Sequence, residues 1–395
     1  MKLFDDIIRD DSRPALYAEP SFNYLNRSAR PGFKRIRNVL EQWFQRIPCQ
    51  IQLDSCSRFR KKDDRQHIGA FFEIYLHEML ARLDFVAEPH PTLKGERTHP
   101  DFLVRKGRER LFYLEATLAA PSNMNIATKN RENQVYDTLD MMESPNFFIA
   151  LMVSGAPLTS PPGRKIRSFL EEQLAVLNPD KVAKQFEQDG PGALPSWNRR
   201  WEGWRITFFA IPKRSSARGK LHVRPIGVQI PGLICHSPQI NIRNSLQGKT
   251  SKYGKLDLPY VIAINVIDEF GVDDIDISNA LFGEEQVTVG FHSDHSVDQI
   301  VGRKPNGTWY GPNGPQKKRI SAVLIAVNLY PWSIAKTTLI LWHNPWADKA
   351  LSQDIWPLTQ LVPDAANKQL VKCAGESGWR LLGLRPSWPE VCEDT

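Results

Sequence analysis

The chain has 395 residues, of which 41% are hydrophobic and 24% charged, a composition typical of a globular protein and not of a disordered one. The longest apolar run, 147–153, is far shorter than the roughly 20 residues of a membrane-spanning helix. The acidic N-terminus does not resemble a secretion signal, and the five scattered cysteines argue against a disulfide framework and a zinc ribbon. We therefore expect a cytoplasmic protein without a membrane segment.

The region 1–62 is basic, and the formal net charge of the whole chain is +7. Its segment "RSARPGFKRIR" contains no acidic residue and has Tyr24 and Phe33 nearby. Since cations neutralise phosphates and aromatic rings stack on bases, the segment predicts a nucleic-acid contact. A solvated basic helix face explains the same pattern equally well. The residues of this predicted contact are Arg27, Arg30, Lys34, Arg35 and Arg37.

The next segment, "DDRQHIGAFFEIYLHEMLARL" (63–83), has the apolar spacing of a helix buried along one face. Asp63 and Asp64 suit its N-terminus. Glu73 lies at the edge of the apolar face, whereas Glu78 falls toward Arg82 and is expected at the surface. The helix therefore offers one acidic side chain, Glu73, to whatever packs beside it.

A strand "FVAEP" follows, then two strand-like runs in "HPDFLVRKGRERLFYLEATL", a helix near 125–142 and the strand "FFIALMV". After a proline-rich linker come a helix around 164–177, a tryptophan-rich piece with helix-like spacing, and strands at 205–211, 259–267, 320–327 and 337–342. We predict an α/β fold with a mixed (α+β) sheet. Residues 63–155 form its core, which 241–268 can complete, and 156–395 form an elaboration or a second α/β domain.

The two strand-like runs carry one carboxylate each, Asp101 and Glu115, among apolar neighbours. A two-residue loop would pair Asp101 with Leu114 and turn Glu115 to the other face. A three-residue loop, 107–109, in which Gly107 takes a positive φ, pairs position 101 with 115. We favour the second register, because only it places one apolar set on the opposite face. That set is Phe102, Val104, Phe112 and Leu114.

Two opposed carboxylates repel each other, and burying them unpaired costs several kcal/mol, on the order of the desolvation penalty of a charge. A nearby arginine or a hard divalent cation would compensate, and Mg²⁺ prefers carboxylate oxygens, waters and phosphate oxygens. Glu73 supplies a third acid from the preceding helix. The pattern therefore predicts a three-carboxylate cation site, with a structural salt bridge as the alternative.

The order Gly69-x-x-x-Glu73, Pro100-Asp101 and Glu115-x-Thr117 resembles the PD-(D/E)xK nuclease superfamily, the restriction-endonuclease-like fold, over residues 63–155. The later stretch "KYGKLDLPYVIAINV" resembles bacterial proteins with the same core. The resemblance implies that Asp101, Glu115 and the main-chain carbonyl of Ala116 ligate Mg²⁺ or Mn²⁺, with Glu73 at a second ion or a metal-bound water. It implies metal-dependent phosphodiester hydrolysis of nucleic acid, with DNA favoured, and a role in defence against foreign DNA.

Thr117 stands where the superfamily pattern has a lysine that positions the attacking water and stabilises the transition state. Either the protein is catalytically inactive, or another cation replaces the lysine. Lys129 and Arg131 on the next predicted helix are one source, and Lys249 and Lys252 are another. We favour Lys252, because a helix and strand at 241–268 can complete the core sheet.

Other motifs carry weaker signals. The stretch "FHSDH" offers His292, Asp294 and His295, which read most simply as solvated loop residues and not as a zinc site. "WNRRWEGWR" could stack on bases, but its tryptophans are more typical of a core. The glycine-rich loops lack the context of a P-loop.

The sequence leaves three functions open. The first is a Mg²⁺-dependent nuclease, and the second is an inactive relative that binds nucleic acid or assembles with other proteins. The third is a structural or partner-binding protein whose paired acids are salt-bridged. A second copy of the chain or a partner subunit is compatible with each of them.

Overall fold

The computed structural model describes residues 1–93, 95, 97–120, 126–220, 224–231, 237–250, 252–291, 297–364 and 369–390. It confirms the predicted mixture of helices with a large mixed sheet. The chain divides into two compact units. The first unit comprises Met1–Arg13, Pro20–Pro121 and Ser237–Thr395, and the second comprises Pro14–Glu19 and Ser122–His236.

The first unit begins with four helices and three strands. These are α1 (Ser21–Arg27), α2 (Pro31–Arg46), α3 (Cys49–Phe59), α4 (Asp64–Arg82), β1 (Val86–Pro89), β2 (Phe102–Lys106) and β3 (Glu109–Ala119). Helix α4 begins where the sequence predicts, because the Asp63 side chain accepts a hydrogen bond from the Arg65 backbone N–H at 2.9 Å.

The second unit follows in the chain, and its sheet has the strand order β5-β6-β4-β7. Its elements are α5 (Ile126–Asp140), β4 (Phe147–Gly155), α6 (Gly163–Ala175), α7 (Pro179–Asp189), β5 (Ser196–Trp201), β6 (Trp204–Pro212) and β7 (Ile226–Pro231). Alternate residues of β4 and β6 pack against α5 and α6 in one core, which includes Ile149, Ile206 and Phe208. The helices therefore cover one face of this sheet.

The chain then returns to the first unit. The elements there are α8 (Pro238–Thr250), β8 (Tyr260–Val266), α9 (Asp274–Phe282), β9 (Glu285–Phe291), β10 (Val297–Arg303), β11 (Tyr310–Gly311), β12 (Gly314–Pro315), β13 (Ala322–Val327), β14 (Leu339–His343), β15 (Thr359–Asp364), β16 (Gln369–Cys373) and α10 (Gly378–Leu381). The two pairs β9–β10 and β11–β12 form separate small ribbons.

The main sheet of the first unit has eight strands in the order β1-β2-β3-β8-β13-β14-β15-β16. Strand β8 lies parallel between β3 and β13, and all seven of its residues are buried. A continuous apolar run of this kind is typical of a parallel strand covered on both faces. The site described below lies on β3, beside this central strand.

Helices cover both faces of the sheet. Phe102 and Leu114 face a core that α2 and α4 share, with Phe44 and Phe71 among its members. Leu103, Tyr113 and Ile262 face a second core with Ile242 and Leu246 of α8. From position 113 onward, the odd-numbered side chains of β3, including position 115, therefore point toward the α8 face.

The predicted division of the chain differs from the observed one. Helix α5 and strand β4, which were assigned to a core of 63–155, belong to the second unit. Strand β8, preceded by α8, pairs with β3, in agreement with the expectation that 241–268 can complete the sheet, and the region after 156 divides between the units. Local pattern could not decide this, because the partner of β3 lies more than a hundred residues further along the chain.

Three smaller features of the structure bear on the sequence analysis. The tryptophan-rich stretch is a β-hairpin and not a helix, since Ser196–Trp201 pairs antiparallel with Trp204–Pro212 around a turn with Gly203 at φ +73°. Across the described ranges, no helix combines the length and the apolar character that crossing a membrane requires. The three described cysteines are free thiols.

Candidate active site

The hairpin of β2 and β3 sets the positions of both acids. Phe102 pairs with Leu114, which places position 101 opposite 115 and confirms the predicted register. The predicted three-residue loop is wrong: Lys106 pairs with Glu109 across a two-residue turn, and a bulge at Leu111 restores the register. A bulge adds one residue to one strand only, so it has the same effect on pairing as the longer loop.

Asp101 immediately precedes β2, and the Ala116 backbone N–H donates to its Oδ2 at 2.7 Å. Burial is the main cause that raises the pKa of Asp101, to about 7, and the charges of Glu115 and Glu73 raise it further. The hydrogen bond from Ala116 and the charge of Lys249 oppose this rise. Asp101 is therefore a carboxylate with more negative than positive charge around it.

Glu115 is completely buried, and two lysines of the α8 region neutralise it. Lys249 Nζ lies 2.6 Å and Lys252 Nζ 2.8 Å from Glu115 Oε1. Burial acts to raise the pKa of Glu115, but the two lysines, together with a hydrogen bond from Tyr253, outweigh it and lower the pKa. The carboxylate is thus held ionised in the interior.

Tyr253 links Glu115 to the segment before Asp101. Its hydroxyl lies 2.6 Å from Glu115 Oε2 and 2.6 Å from the main-chain oxygen of His99. The His99 ring packs on His90, with ring centroids 4.4 Å apart, and the His90 backbone N–H donates to the Asp101 main-chain oxygen at 3.0 Å. These contacts join α8, β3 and the segment leading into β2 into one network.

Glu73 takes a different partner from the one that the sequence indicates. Its carboxylate accepts two hydrogen bonds from Arg58 of α3, at 2.8 and 2.5 Å, although its charge also acts on Asp101. The expectation that Glu78 is exposed is wrong: it is fully buried and paired with Arg46 and Arg82. Arg58 of α3 and Arg46 of α2, which helical periodicity within α4 cannot reveal, account for both differences, whereas Arg82 is the partner that the sequence indicates.

The predicted metal ligands do not form a ready-made metal centre. Among the residues that the structure describes, no group of three or more His, Cys, Asp or Glu side chains is arranged to hold an ion. The chemistry of the donors nevertheless suits a hard cation, because burial and the negative charges of Glu115 and Glu73 oppose ionisation of Asp101, and a bound cation would relieve this repulsion. The carbonyl of Ala116 as a ligand stays a prediction.

Of the four cationic residues suggested as substitutes for the missing lysine, two lie at the site and two lie in the second unit. Lys249 and Lys252 both contact Glu115, whereas Lys129 and Arg131 lie on α5 of the second unit. Thr117 lies on the same face of β3 as Glu115, the face that α8 covers. The sequence favoured one lysine, and the structure brings two to the glutamate.

The basic segment near the N-terminus is only partly available for a ligand. Arg37 is 7% exposed and donates to the main-chain oxygens of Leu25 and Ser28 at 2.8 Å, so its predicted role in nucleic-acid contact is corrected to a structural one. Arg27 forms an ion pair with Asp11 at 2.8 Å. Arg30 and Arg35 each donate to main-chain oxygens, those of Ser12 and Pro389, and Lys34 is exposed.

The other weak motifs add little to this site. His292, Asp294 and His295 lie outside the described residues. Trp204 is buried in the core of the second unit, as the sequence favoured.

Sequence reasoning missed Tyr253, Arg58 and the two histidines. "KTSKYG" does place an aromatic hydroxyl beside the lysines, and two His-Pro pairs, at 90–91 and 99–100, bracket the segment before Asp101. These patterns indicate a cluster of polar side chains, but they do not show which residues the tyrosine and the histidines contact. Arg58 gives no signal, since fifteen residues and a helix boundary separate it from Glu73.

Comparison of the chain with protein-family models, with curated proteins and with solved structures found no match.

Proposed function

We propose that this protein is a metal-dependent nuclease that hydrolyses phosphodiester bonds of nucleic acid, with DNA as the favoured substrate. The observation that carries the proposal is the convergence of Lys249 and Lys252 on Glu115, next to Asp101. It puts cationic groups beside the acid pair where the Glu-x-Thr sequence lacks its lysine. The order of α4, the β1-β2-β3 strands, α8 and β8 supports the restriction-endonuclease-like core included in this proposal.

Asp101 and Glu115, with Glu73 and the Ala116 carbonyl, would hold Mg²⁺ or Mn²⁺. A bound divalent cation lowers the pKa of a water and neutralises charge that develops on phosphate oxygens. The chain's own residues have distinct tasks in this proposal. Asp101 supplies the least compensated carboxylate, Tyr253 orients Glu115, and the two lysines share one carboxylate oxygen, so that one can turn toward a phosphate while the other keeps the glutamate paired.

A non-catalytic nucleic-acid-binding or assembly protein is the second candidate. The observation that favours it is the complete engagement of Glu115, which is 0% exposed and contacts two lysines and a tyrosine. Such a cluster neutralises a buried acid without any metal, and Thr117 removes the residue that the superfamily uses for chemistry. Both candidates keep the cytoplasmic location that the sequence indicates, and defence against foreign DNA goes with the first.

Incubation with duplex DNA, single-stranded DNA and RNA in Mg²⁺ or Mn²⁺ separates the candidates. We expect cleavage by the unmodified protein, a loss of at least about 100-fold in Asp101→Asn, and a smaller loss in Lys249→Met and Lys252→Met. Lys255→Met is the matched control, since Lys255 is exposed and close in the chain but has no contact with Glu115.

Binding without cleavage in every variant, at every metal concentration, would replace the first candidate by the second. Cleavage that survives unchanged in Asp101→Asn would show that the reaction, or a contaminant, does not use this site. A metal-induced rise in the unfolding temperature that Asp101→Asn abolishes gives a reading of metal binding independent of substrate.

A further inference from the structure

The β5–β6 hairpin of the second unit presents an exposed face. Along β5, burial alternates residue by residue: Trp197, Arg199 and Trp201 are half-buried, whereas Asn198 and Arg200 are exposed. Trp197 and Trp201 pack on the helix-covered core, and Arg199 lies 3.6 Å from the centroid of the Phe169 ring. Arg200 therefore points to the opposite face of the sheet, away from α5 and α6.

Two arginines stand directly opposite each other on that face. Arg200 pairs in register with Arg205 of β6, and Arg205 pairs in turn with Ser154 of β4. Like charges at directly opposed positions destabilise a sheet. Within the described part of the chain, neither guanidinium makes an ion pair or a hydrogen bond, and both are exposed.

The pair borders an open cavity of about 490 Å³. Its lining residues are Ser154, Gly155, Arg200, Trp201, Glu202, Gly203, Trp204 and Arg205. The single acid in this set, Glu202, accepts a hydrogen bond from the Thr159 hydroxyl at 3.3 Å and offsets only one of the two arginine charges. The net character of the cavity rim is cationic.

The turn behind the arginines is held tightly. The Ala156 backbone N–H donates to the Gly203 oxygen at 3.0 Å, and a Cβ added to Gly155 would lie only 1.9 Å from that oxygen. Gly155 and Gly203 both have positive φ, +74° and +73°. The hairpin therefore fixes the backbone positions from which the two arginine side chains project.

We infer that Arg200 and Arg205 bind backbone phosphates of a nucleic-acid strand. Planar guanidinium groups recognise phosphate oxygens with paired hydrogen bonds, and a phosphate between them removes their mutual repulsion. This inference deepens the proposed function. It rests on that function in one respect, because the proposed nuclease activity identifies the bound strand as the substrate. Ser154 adds a hydroxyl donor to the same row of the sheet.

The test measures binding of a fluorescent single strand, and of the corresponding duplex, to the full-length protein in EDTA, where metal-dependent cleavage does not occur. The variant is Arg200→Gln with Arg205→Gln. The control is Lys181→Gln with Lys184→Gln, which removes the same charge from exposed positions on α7 of the same unit. We expect the arginine variant to bind about tenfold more weakly or worse, with a smaller salt dependence of the affinity.

Equal weakening in the arginine and lysine variants would overturn the inference, because it would show only an effect of net charge. Unchanged binding in the arginine variant would also overturn it, provided that circular dichroism shows both variants folded. Calorimetric binding of inorganic phosphate by the unmodified protein, without measurable binding of either oligonucleotide, would overturn the inference and reassign the pair to a free anion. Binding lost in this variant while no cleavage occurs under any condition would leave the inference standing and remove the nuclease.

Discussion

At the scale of single residues, the main feature of the site is that its two acids have very different numbers of positively charged and hydrogen-bonding partners. Glu115 has two lysines and a tyrosine, whereas Asp101 has one backbone N–H and two nearby carboxylates. The different surroundings of the two acids therefore raise the pKa of Asp101 and lower the pKa of Glu115. Groups with pKa values shifted in this way cluster at functional sites, and they make measurable predictions about stability.

Asp101→Asn should stabilise the metal-free protein at high pH. A pKa raised from 3.8 to about 7 means that the folded protein binds the proton more tightly, so the stability due to Asp101 is present below pH 4 and is lost as the pH rises through 7. We expect the variant to be more stable than the unmodified protein by about 3–4 kcal/mol at pH 8 and nearly equal to it below pH 4. Urea unfolding in EDTA measures both values. A difference independent of pH would contradict the assignment.

Either lysine alone should be enough to stabilise the buried Glu115 carboxylate, whereas loss of both lysines should strongly destabilise the folded protein. Lys249→Met or Lys252→Met alone leaves Glu115 with one ammonium partner and is expected to cost about 1 kcal/mol or less. The double variant leaves a buried carboxylate without a counter-charge, and about 3–5 kcal/mol is expected. Adding Glu115→Gln to the double variant should restore much of the loss. Additive single costs would show that the lysines do not share the glutamate.

At the scale of elements, one hairpin controls the geometry of the site. Gly107 has φ +59° and starts the two-residue turn, while the Leu111 bulge compensates for the short loop. Strand β3 then carries the register onward to β8, where Glu115 lies level with Ile262. The apolar alternation of both strands decides this register, since a slip by one residue would turn Phe102 and Leu114 out of the core.

Gly107→Val should destabilise the protein by about 1–3 kcal/mol through the backbone alone. A Cβ at Gly107 meets no atom within 4 Å, so steric contact adds nothing to the cost of its positive φ. Arg108→Ala in the same exposed turn serves as the control and should change the free energy of unfolding by less than about 0.5 kcal/mol. Chemical denaturation compares the two, and equal costs would contradict the backbone explanation.

At the scale of the whole molecule, most of the second unit is inserted between β3 and the α8–β8 segment, and strands β3 and β8 pair in one sheet. Strand β3 ends shortly before the insertion, and α8 begins immediately after it. The Ser245 hydroxyl of α8 donates to the Leu118 oxygen of β3 at 3.0 Å, which shows that the elements on either side pack together within the first unit. The residues of the candidate active site all belong to the first unit, and the Arg200–Arg205 pair belongs to the second.

Replacement of residues 14–19 and 122–236 by Gly/Ser linkers should therefore preserve the first unit. We expect a folded product that retains the stabilisation by Mg²⁺ proposed for Asp101, because Glu115, Lys249 and Lys252 keep their contacts. Affinity for an oligonucleotide should fall at least as far as in the double arginine variant. Circular dichroism and thermal unfolding with and without Mg²⁺ provide the measurement, and failure to fold would show that the insertion is needed for the sheet to form.

The sequence by itself determined the local elements and the pairing of the two acids. Periodicity predicts α4, alternation predicts the β2–β3 hairpin, and continuous apolar runs predict β8 and β13, because burial of one face imposes a regular spacing on neighbouring residues. It also brought Lys249 and Lys252 into consideration, since both precede a strand that can extend the sheet.

Only the tertiary structure decided which distant groups compensate each charge. Arg58 on Glu73, Tyr253 on Glu115 and the burial of Glu78 depend on which helices pack together, and that packing leaves no periodic trace in the chain. The same holds for the pairing of β3 with β8 across the inserted unit. Electrostatic partners are chosen by distance in space, whereas sequence patterns report only what lies along one element.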